Sequence, residues 1–507
     1  RDASIFEVVP KGIIAPRYVS DITNLVQYAS KKTRAGQYTS LTVRAGGTDM
    51  SGGPLTEGLV VDLTKYLNRV GEVDTVNRRV RTQGGAWHRD VEAATHPLGL
   101  LFGPYTSSHQ ICTIGGMVSN NSSGEKSVKF GATSDNVDRL SVVLSDGNEY
   151  EFGPLTRAEL EAKKAQPDFE GEVYRRITRL IDDNKQLLRE RKPKTVKNAA
   201  GYAIWDVWDD HEQVFNMARL FIGSQGTLGF VTEAELKLVP LAPNSRMIVT
   251  PIGDLDNLPE VVNTTLTYGP ATCETFDHFT YDLAKIHHPD EARLAYVADG
   301  KHMVILSVFE GRDQHLTDVT AGRAKEHLES LGHETFWIDD TATIEAFLNI
   351  RRWSFQMLLD HPKPGTRAMA FLEDTIVPLE RYAEFLRQLE AILTEYDMTY
   401  TYAGHIAAGS IRLIPLVDME RENAAEHIME LETRVNKLVV EFNGSISVDH
   451  NDGIIRTPYL EMQFGAEMVA IFGRIKDIFD PLRIFNPGKK VDGTYQYAVD
   501  HIIRENV

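Results

Sequence analysis

Hydrophobic and polar positions follow two styles along the chain. Up to about residue 240, short apolar runs bounded by glycine turns alternate with helix-like stretches. "GLVVDL" (Gly58–Leu63) and "LSVVLSDG" (Leu140–Gly147) each predict a buried strand, the second ending in a turn. "LVPLAPNSR" (Leu238–Arg246) carries two prolines, an asparagine and a serine, and predicts a domain boundary. Beyond it, "SRMIVTPIG" and "HMVILSVFEG" predict strands. Phe385, Leu386, Leu389, Ile392, Leu393 and Tyr396 recur at helical spacing, as do Ile428, Leu431, Val435, Leu438, Val439 and Phe442. Strands paired with such helices predict an antiparallel α+β domain. Phe464, Met468, Ile471, Phe472, Ile475 and Phe479 mark a last long helix, stopped at Asp480–Pro481 because proline cannot continue it.

Composition narrows the class. At ~150 residues per domain, 507 residues predict about three domains or two large ones. Apolar content of 42% and charged content of 25% fit a globular chain with a large core. A net charge of -18 argues against a nucleic-acid surface. Two cysteines, Cys112 and Cys273, exclude a disulfide framework and any Cys-rich metal or iron–sulfur site in this chain. Low cysteine usage suits a reducing compartment, so the expected location is cytoplasmic or peripheral to the inner membrane. No stretch approaches the ~18 apolar residues of a transmembrane segment. The start, "RDASIFEVVP", has no signal core, and a trimmed end leaves a lost leader open.

Three segments concentrate Gly, Ser, Thr and Asn: "VRAGGTDMSGG" (Val43–Gly53), "GPYTSSHQICTIGGMVSNNSSG" (Gly103–Gly124) and "GSQGTLGFVT" (Gly223–Thr232). Glycine permits close backbone approach, and successive N–H groups can form an anion-binding concavity. The segments contain neither a dinucleotide G-x-G-x-x-G after a strand nor a P-loop. They predict a large phosphate-bearing cofactor held by backbone from several loops.

This ordered set resembles the PCMH-type FAD-binding domain of the vanillyl-alcohol-oxidase-like flavoproteins, in the branch of FAD-linked D-lactate, glycolate and D-2-hydroxyglutarate dehydrogenases. "CTIGGMVSNNSSG" followed by Phe130–Gly131, "KNAAGY" (Lys197–Tyr202), "GSQGTLGFVTE" and "FDPLRIFNPGK" carry the resemblance, which runs over nearly the whole length. It implies an α+β fold: an FAD-binding domain of two α/β subdomains at 1–240, completed by about 480–507, and an antiparallel-sheet substrate or cap domain at 241–479. It assigns Arg44, Ala45, Gly46, Gly47, Thr48, Ser51 and Gly52 to the pyrophosphate. Pro104, Ser107, Ser108, Thr113, Gly115, Gly116, Asn120 and Ser122 fall to the ring and ribityl chain. Gly226, Thr227, Gly229 and Val231 fall to the adenosine side, and Asn486 closes the site. Covalent relatives have His where Thr48 stands, so FAD is expected to be non-covalent.

In the family the loop at 404–412 reads G-H-x-x-x-G-x-x-H and binds a divalent metal, with a later S-I-S-G-E-H-G adding a glutamate ligand and the base. Here the segments are "GHIAAGSIR" and "SISVDHNDG", the second expected to end a strand. His405 and His450 are kept, Arg412 replaces the second histidine, and Asp449 replaces the glutamate. Guanidinium has no lone pair and stays charged, so Arg412 cannot ligate. His405 and Asp449 alone make a poor site, and no metal is expected. Arg412 is expected to bind the substrate carboxylate or pair with Asp449. His450 is expected to be the base, its pKa lowered by Arg412. "IRRWSF" offers Arg351 and Arg352 where relatives place a substrate arginine, with Arg352 taken as the catalytic candidate; Arg367 is a second option, and Tyr202 is expected near the pocket. The implied reaction is oxidation of a 2-hydroxy acid to the 2-oxo acid by hydride transfer to flavin N5. The acceptor would be an iron–sulfur protein, an electron-transfer flavoprotein or a quinone; a homodimer is left open. The alternatives are a non-catalytic or differently specific flavin-binding subunit, and a metal hydrolase on His405, Asp449 and His450, which Arg412 and the flavin loops disfavour.

Overall fold

The strand Phe230–Pro240 organises the first half. Thr232, Ala234, Leu236 and Leu238 are buried while Glu233, Glu235 and Lys237 reach toward solvent, the period-two pattern of a strand. It pairs antiparallel with Arg79–Gln83 and with Val137–Val143, and its end takes Leu100–Phe102. Val70–Asp74 and Glu149–Phe152 complete this sheet. A smaller parallel sheet holds Gly12–Ile14, Leu59–Asp62 and Leu41–Arg44 in that order. The helix Val19–Arg34 turns Ile22, Val26 and Ala29 into a core shared with Val143 and Phe230 of the larger sheet. The computed structural model describes residues 1–297, 300–361 and 365–504; the last three residues of the expected C-terminal return lie outside them.

From Asn244 on, the described strands form a separate antiparallel sheet. Its order is Phe336–Ile338, Asn244–Ile252, Met303–Gly311, Thr272–Asp277, Thr399–Gly404, Ser410–Asp418 and Thr366–Ala368, with Glu373–Ile376 also on Ser410–Asp418. Both faces are covered. Ile305 and Phe309 join one core, while Val304, Leu306 and Val308 join the other. A strand buried on both faces reads as a continuous apolar run, which is why "MVILSVF" shows no alternation. The expected boundary at 238–246 is short: one strand ends at Pro240 and the next begins at Asn244.

The three helical faces read from the sequence form Tyr382–Glu395, Ala424–Glu441 and Ala466–Phe479. Phe464 instead ends a short helix, Leu460–Phe464, separated from the last by Gly465 at φ +81°. "SISVDHNDG" is not a strand. Only Ser445 bridges, to Ile376, and the rest is a loop leading into the helix Gly453–Arg456.

After the last helix the chain returns to the first domain. Leu41 N–H donates to the Ile484 carbonyl (2.7 Å) and Asn486 N–H to the Leu41 carbonyl (2.9 Å). The return is secured by Asp480, fully buried, which accepts from Lys476 Nζ and from Phe485 N–H, each at 2.7 Å. Lys476 also donates to the carbonyls of Thr227 and Phe485. Breaking one half of a buried ion pair leaves an uncompensated charge. Asp480→Ala is therefore expected to destabilise the protein by about 3–5 kcal/mol, read as an earlier urea midpoint.

Candidate active site

The glycine-rich loops meet in one cleft of about 1200 Å³, open solvent at its mouth included. Its wall contains Ala45, Gly46, Gly47, Thr48, Ser107, Ser108, Thr113, Gly115, Gly116, Asn120, Ser122 and Val231, and also Arg412, Asp449 and His450. Two glycines are sterically required. Gly47 has φ +70°, and a Cβ there would meet the Arg44 guanidinium. A Cβ on Gly115 would lie 2.4 Å from the Gly84 carbonyl, which accepts the Gly115 N–H where a helix start abuts the strand. That helix, Ile114–Asn120, is capped by Thr113, whose hydroxyl accepts from Gly116 N–H. Backbone donors and hydroxyls thus line a concave, largely uncharged floor suited to a pyrophosphate and a flat ring.

The other expected cofactor residues stand behind this wall. Asn486 donates to the Gly53 and Gln225 carbonyls and accepts from Thr42, bracing three segments. Ser51 is buried on Asp49 and Gln225, and Gly52 packs against Phe6 and Ile454. Gly226 and Gly229 admit Val43 and Val142. Arg44 donates to the Arg1 carbonyl, and Pro104 is buried outside the wall. Thr227 shares a 2.6 Å hydrogen bond with the Tyr202 hydroxyl. Tyr202 is therefore a core residue, edge-on to Phe472, and not part of the cleft.

The cap sheet delivers the charged groups by register. Glu373 and Ala403 both pair with Arg412, and Thr275 pairs with Gly404, so Glu274, His405, Arg412 and Glu373 gather at one end. Asp449 lies among them. Its carboxylate accepts from Arg412 at 3.1 Å and from the Ser123 hydroxyl, and lies 3.9 Å from Lys197. Burial opposes its ionisation, yet Lys197 and Arg412 hold it well below the usual carboxylate range. Burial lowers Lys197, against the pull of Asp449.

His405 sits in the turn between two strands and is buried. Burial, then Arg351, Lys197 and Arg412, push its pKa well below normal, so the ring is neutral. Its Nδ1 lies 2.7 Å from Glu274 and 3.3 Å from an Arg351 N–H, and its Nε2 faces Asp449 at 3.4 Å. His405 and Glu274 line a second groove together with Lys197, whereas His450 lines the cofactor cleft. The family's metal does not fit these donors. Arg412 stands 3.1 Å from the same Asp449 oxygen that His405 faces, with a cation where a ligand would be needed.

His450 is held by its loop. The backbone N–H groups of Val448, Asp449 and His450 all donate to Asp374, at 2.9, 2.6 and 2.8 Å. The His450 ring bonds Glu373 through Nδ1, and Glu373 also accepts from Arg456 at 2.8 Å. Glu373, Asp374 and His450 come close enough to suggest a metal cluster, but these bonds already occupy their facing lone pairs. The expectation for His450 is corrected: burial and Arg412 lower its pKa, but Glu373 and Asp374 outweigh them and raise it. Glu373 stays ionised, pulled down to about 2 against its burial by His450 and Arg456.

The paired arginines part ways. Arg352 is spent on Glu125 and Glu345, away from the cluster. Arg351 is buried, with Nε 2.6 Å from Glu274, and it donates to the Ser107 hydroxyl. Arg367, on the strand Thr366–Ala368, is outside the wall of the cleft. Arg412 has 20% of its side chain exposed, and its buried Nε has no partner. Glu274, Glu373, Asp374 and Lys197 carry no role in the sequence reading. The visible signal for the acids was charge set inside the apolar runs "ATCETFD" and "AFLEDTIV".

The cleft and its two supporting sheets define an FAD-binding protein of PCMH type, with FAD as its cofactor. Residues 10–153 match the family described as FAD binding domain, and residues 242–490 match FAD linked oxidases, C-terminal domain. D-2-hydroxyglutarate dehydrogenase of Pantoea ananatis is 29% identical over 96% of this chain and 48% of its own length. Glycolate oxidase subunit GlcD of Bacillus subtilis is 28% identical over 96% of this chain and 89% of its own length. In fold, 4-ethylphenol oxidase from Gulosibacter chungangensis superposes with a TM-score of 0.67 at 16% identity, over 98% of this chain and 93% of that one. The chain belongs to the FAD-linked oxidoreductases related to D-lactate, glycolate and D-2-hydroxyglutarate dehydrogenases and to vanillyl-alcohol-oxidase-like oxidases. It spans about half the length of the first curated relatives it matches. No helix among the described residues is long and apolar enough to cross a membrane.

Thr48 on the cleft wall offers no imidazole or thiol for a flavin bond. Acid precipitation of the purified holoprotein is expected to leave all FAD absorbance in the supernatant. Flavin retained in the pellet would show a covalent link elsewhere.

Proposed function

We propose that this chain oxidises a 2-hydroxy acid to the 2-oxo acid and passes the electrons to a separate acceptor. The observation that carries this reading is a cationic anchor beside an acid–base group on the wall of the FAD cleft: Arg412, with an unpartnered Nε, and His450, backed by Glu373. The relatives' names point to the same class, since glycolate, D-lactate and D-2-hydroxyglutarate all carry a hydroxyl next to a carboxylate. In this reading residues 1–240, with the return from about 480, hold the cofactor, and 241–479 hold the substrate.

FAD, when bound, supplies the two-electron acceptor. Arg412 holds the substrate carboxylate by charge-assisted N–H bonds, and its charge does not vary with pH. His450, its Nδ1–H on Glu373, takes the hydroxyl proton at Nε2 as C2 is oxidised. Glu373 stabilises the imidazolium that forms. Glu274, Arg351, Lys197 and His405 are positioning residues that hold Asp449 and hence Arg412. No metal takes part, because Arg412 provides the positive charge at that place. The electron acceptor is an iron–sulfur protein, an electron-transfer flavoprotein or a quinone.

Anaerobic titration of the holoprotein with D- and L-2-hydroxy acids is expected to bleach the flavin absorbance with one acid. If FAD is fully bound and no acid bleaches it, the reading fails and a non-catalytic flavin subunit takes its place. His450→Asn is expected to lower kcat by about 10²–10⁴-fold. Arg412→Ala is expected to raise KM by about 30-fold or more, the cost of losing a buried charged partner.

The pH dependence follows from the raised pKa of His450. The base must be deprotonated, so kcat/KM is expected to rise with pH through a value above 6.5, the ordinary histidine pKa. Glu373→Gln removes the anion that raises it and is expected to move this limb to lower pH. An unmoved limb would assign the titration to another group.

A further inference from the structure

The loop that lines the FAD cleft is backed, on its far side, by imidazoles and one carboxylate. The helix His88–Thr95 and the turn after it place His88, Glu92 and His96 at successive i, i+4 positions on one face. The loop between Phe102 and Thr113 brings His109 to the same point. One oxygen of Glu92 lies 3.1 Å from His109 Nδ1 and 3.6 Å from His88 Nδ1. Its other oxygen lies 3.8 Å from His96 Nε2. His88 is fully buried with no partner on either ring nitrogen, and the buried His96 Nε2 has none either. An imidazole with two idle nitrogens, packed near the rings of Phe102 and Tyr105, is a costly way to fill a core.

We propose that His88, Glu92 and His109 form a Zn²⁺ site, with a water as fourth ligand. Nitrogen and oxygen ligands at about 2.0–2.2 Å in a tetrahedron lie about 3.3–3.5 Å apart, between the two separations at the shared Glu92 oxygen. Imidazoles with one carboxylate suit zinc among the late first-row divalent ions. The Tyr105 hydroxyl, 3.3 Å from His109 Nε2, orients that ring so that Nδ1 faces Glu92. The Gln110 amide, 3.1 Å from the same Nδ1, sits on the exposed side and yields to the ion. His109 is 21% exposed, which gives the ion a way in. Two of the ligands come from the helix and one from the loop, so the ion joins the two. It fastens to the helix the loop whose residues Thr106, Ser107, Ser108 and Cys112 line the cleft. It is separate from the Arg412–His450 cluster and does not depend on the reaction proposed above.

The test uses the FAD-loaded protein, stripped with a chelator and titrated with Zn²⁺ by calorimetry, with Co²⁺ absorption as a report on tetrahedral geometry. One equivalent per chain is expected, and Zn²⁺ is expected to raise the Tm. His109→Ala, at the loop surface, and Glu92→Gln, which keeps the side-chain size, are each expected to weaken binding by about 100-fold or more, beyond what losing a ligand's hydrogen-bond partner costs. His450→Asn is expected to leave binding unchanged. Absence of Zn²⁺ binding by the native protein overturns the proposal. So does binding that survives both variants, or that is lost in His450→Asn instead.

Discussion

Asp449 is the charge around which this site is built. A carboxylate removed from water costs several kcal/mol unless cations and donors surround it. Here Arg412 comes from the cap sheet, and Lys197 and Ser123 from the cofactor-binding half. Further contacts tie the same two parts: Arg351 to Ser107, Arg352 to Glu125 and Lys126 to Glu310. These contacts, with those of Lys197 and Ser123 to Asp449, tie the two parts of the fold together.

A second constraint sets His450. Asp374 adopts φ +78°, an unusual conformation for a residue with a side chain, and gathers three consecutive N–H groups of the His450 loop. Its neighbour Glu373 then meets the ring. One turn of backbone thus fixes both where the imidazole stands and which way its pKa moves. Asp374 itself is pushed up by burial although His450 and Arg456 lie close, so the donors of the loop are what make its burial tolerable.

Replacing a metal ligand by Arg412 changes the chemistry available without changing the architecture. A divalent ion needs lone pairs and carries its own hydration. A guanidinium brings a single positive charge, five directed donors and no exchangeable position. The register that would hold two ligands at the strand end instead holds a histidine and an arginine on one carboxylate.

Much of this was legible in the residues. Gly47 is imposed by its local backbone conformation, and the clustering of such residues let the cofactor loops be found without a fold. The helices showed because each has one solvated face. The presence of Arg412 where a histidine was expected was likewise a local fact. What the sequence could not show depends on register and on long-range pairing. Arg351 and Arg352 are neighbours in the chain, and only the packing of their helix decides that the first enters the cluster and the second faces Glu125. The sign of the His450 shift rests on Glu373, 77 residues away. His405 and His450, both read as catalytic, line different cavities. Chain order determines which chemistries are present; tertiary structure decides which charges face one another, because electrostatic energy depends on distance in space and not along the chain.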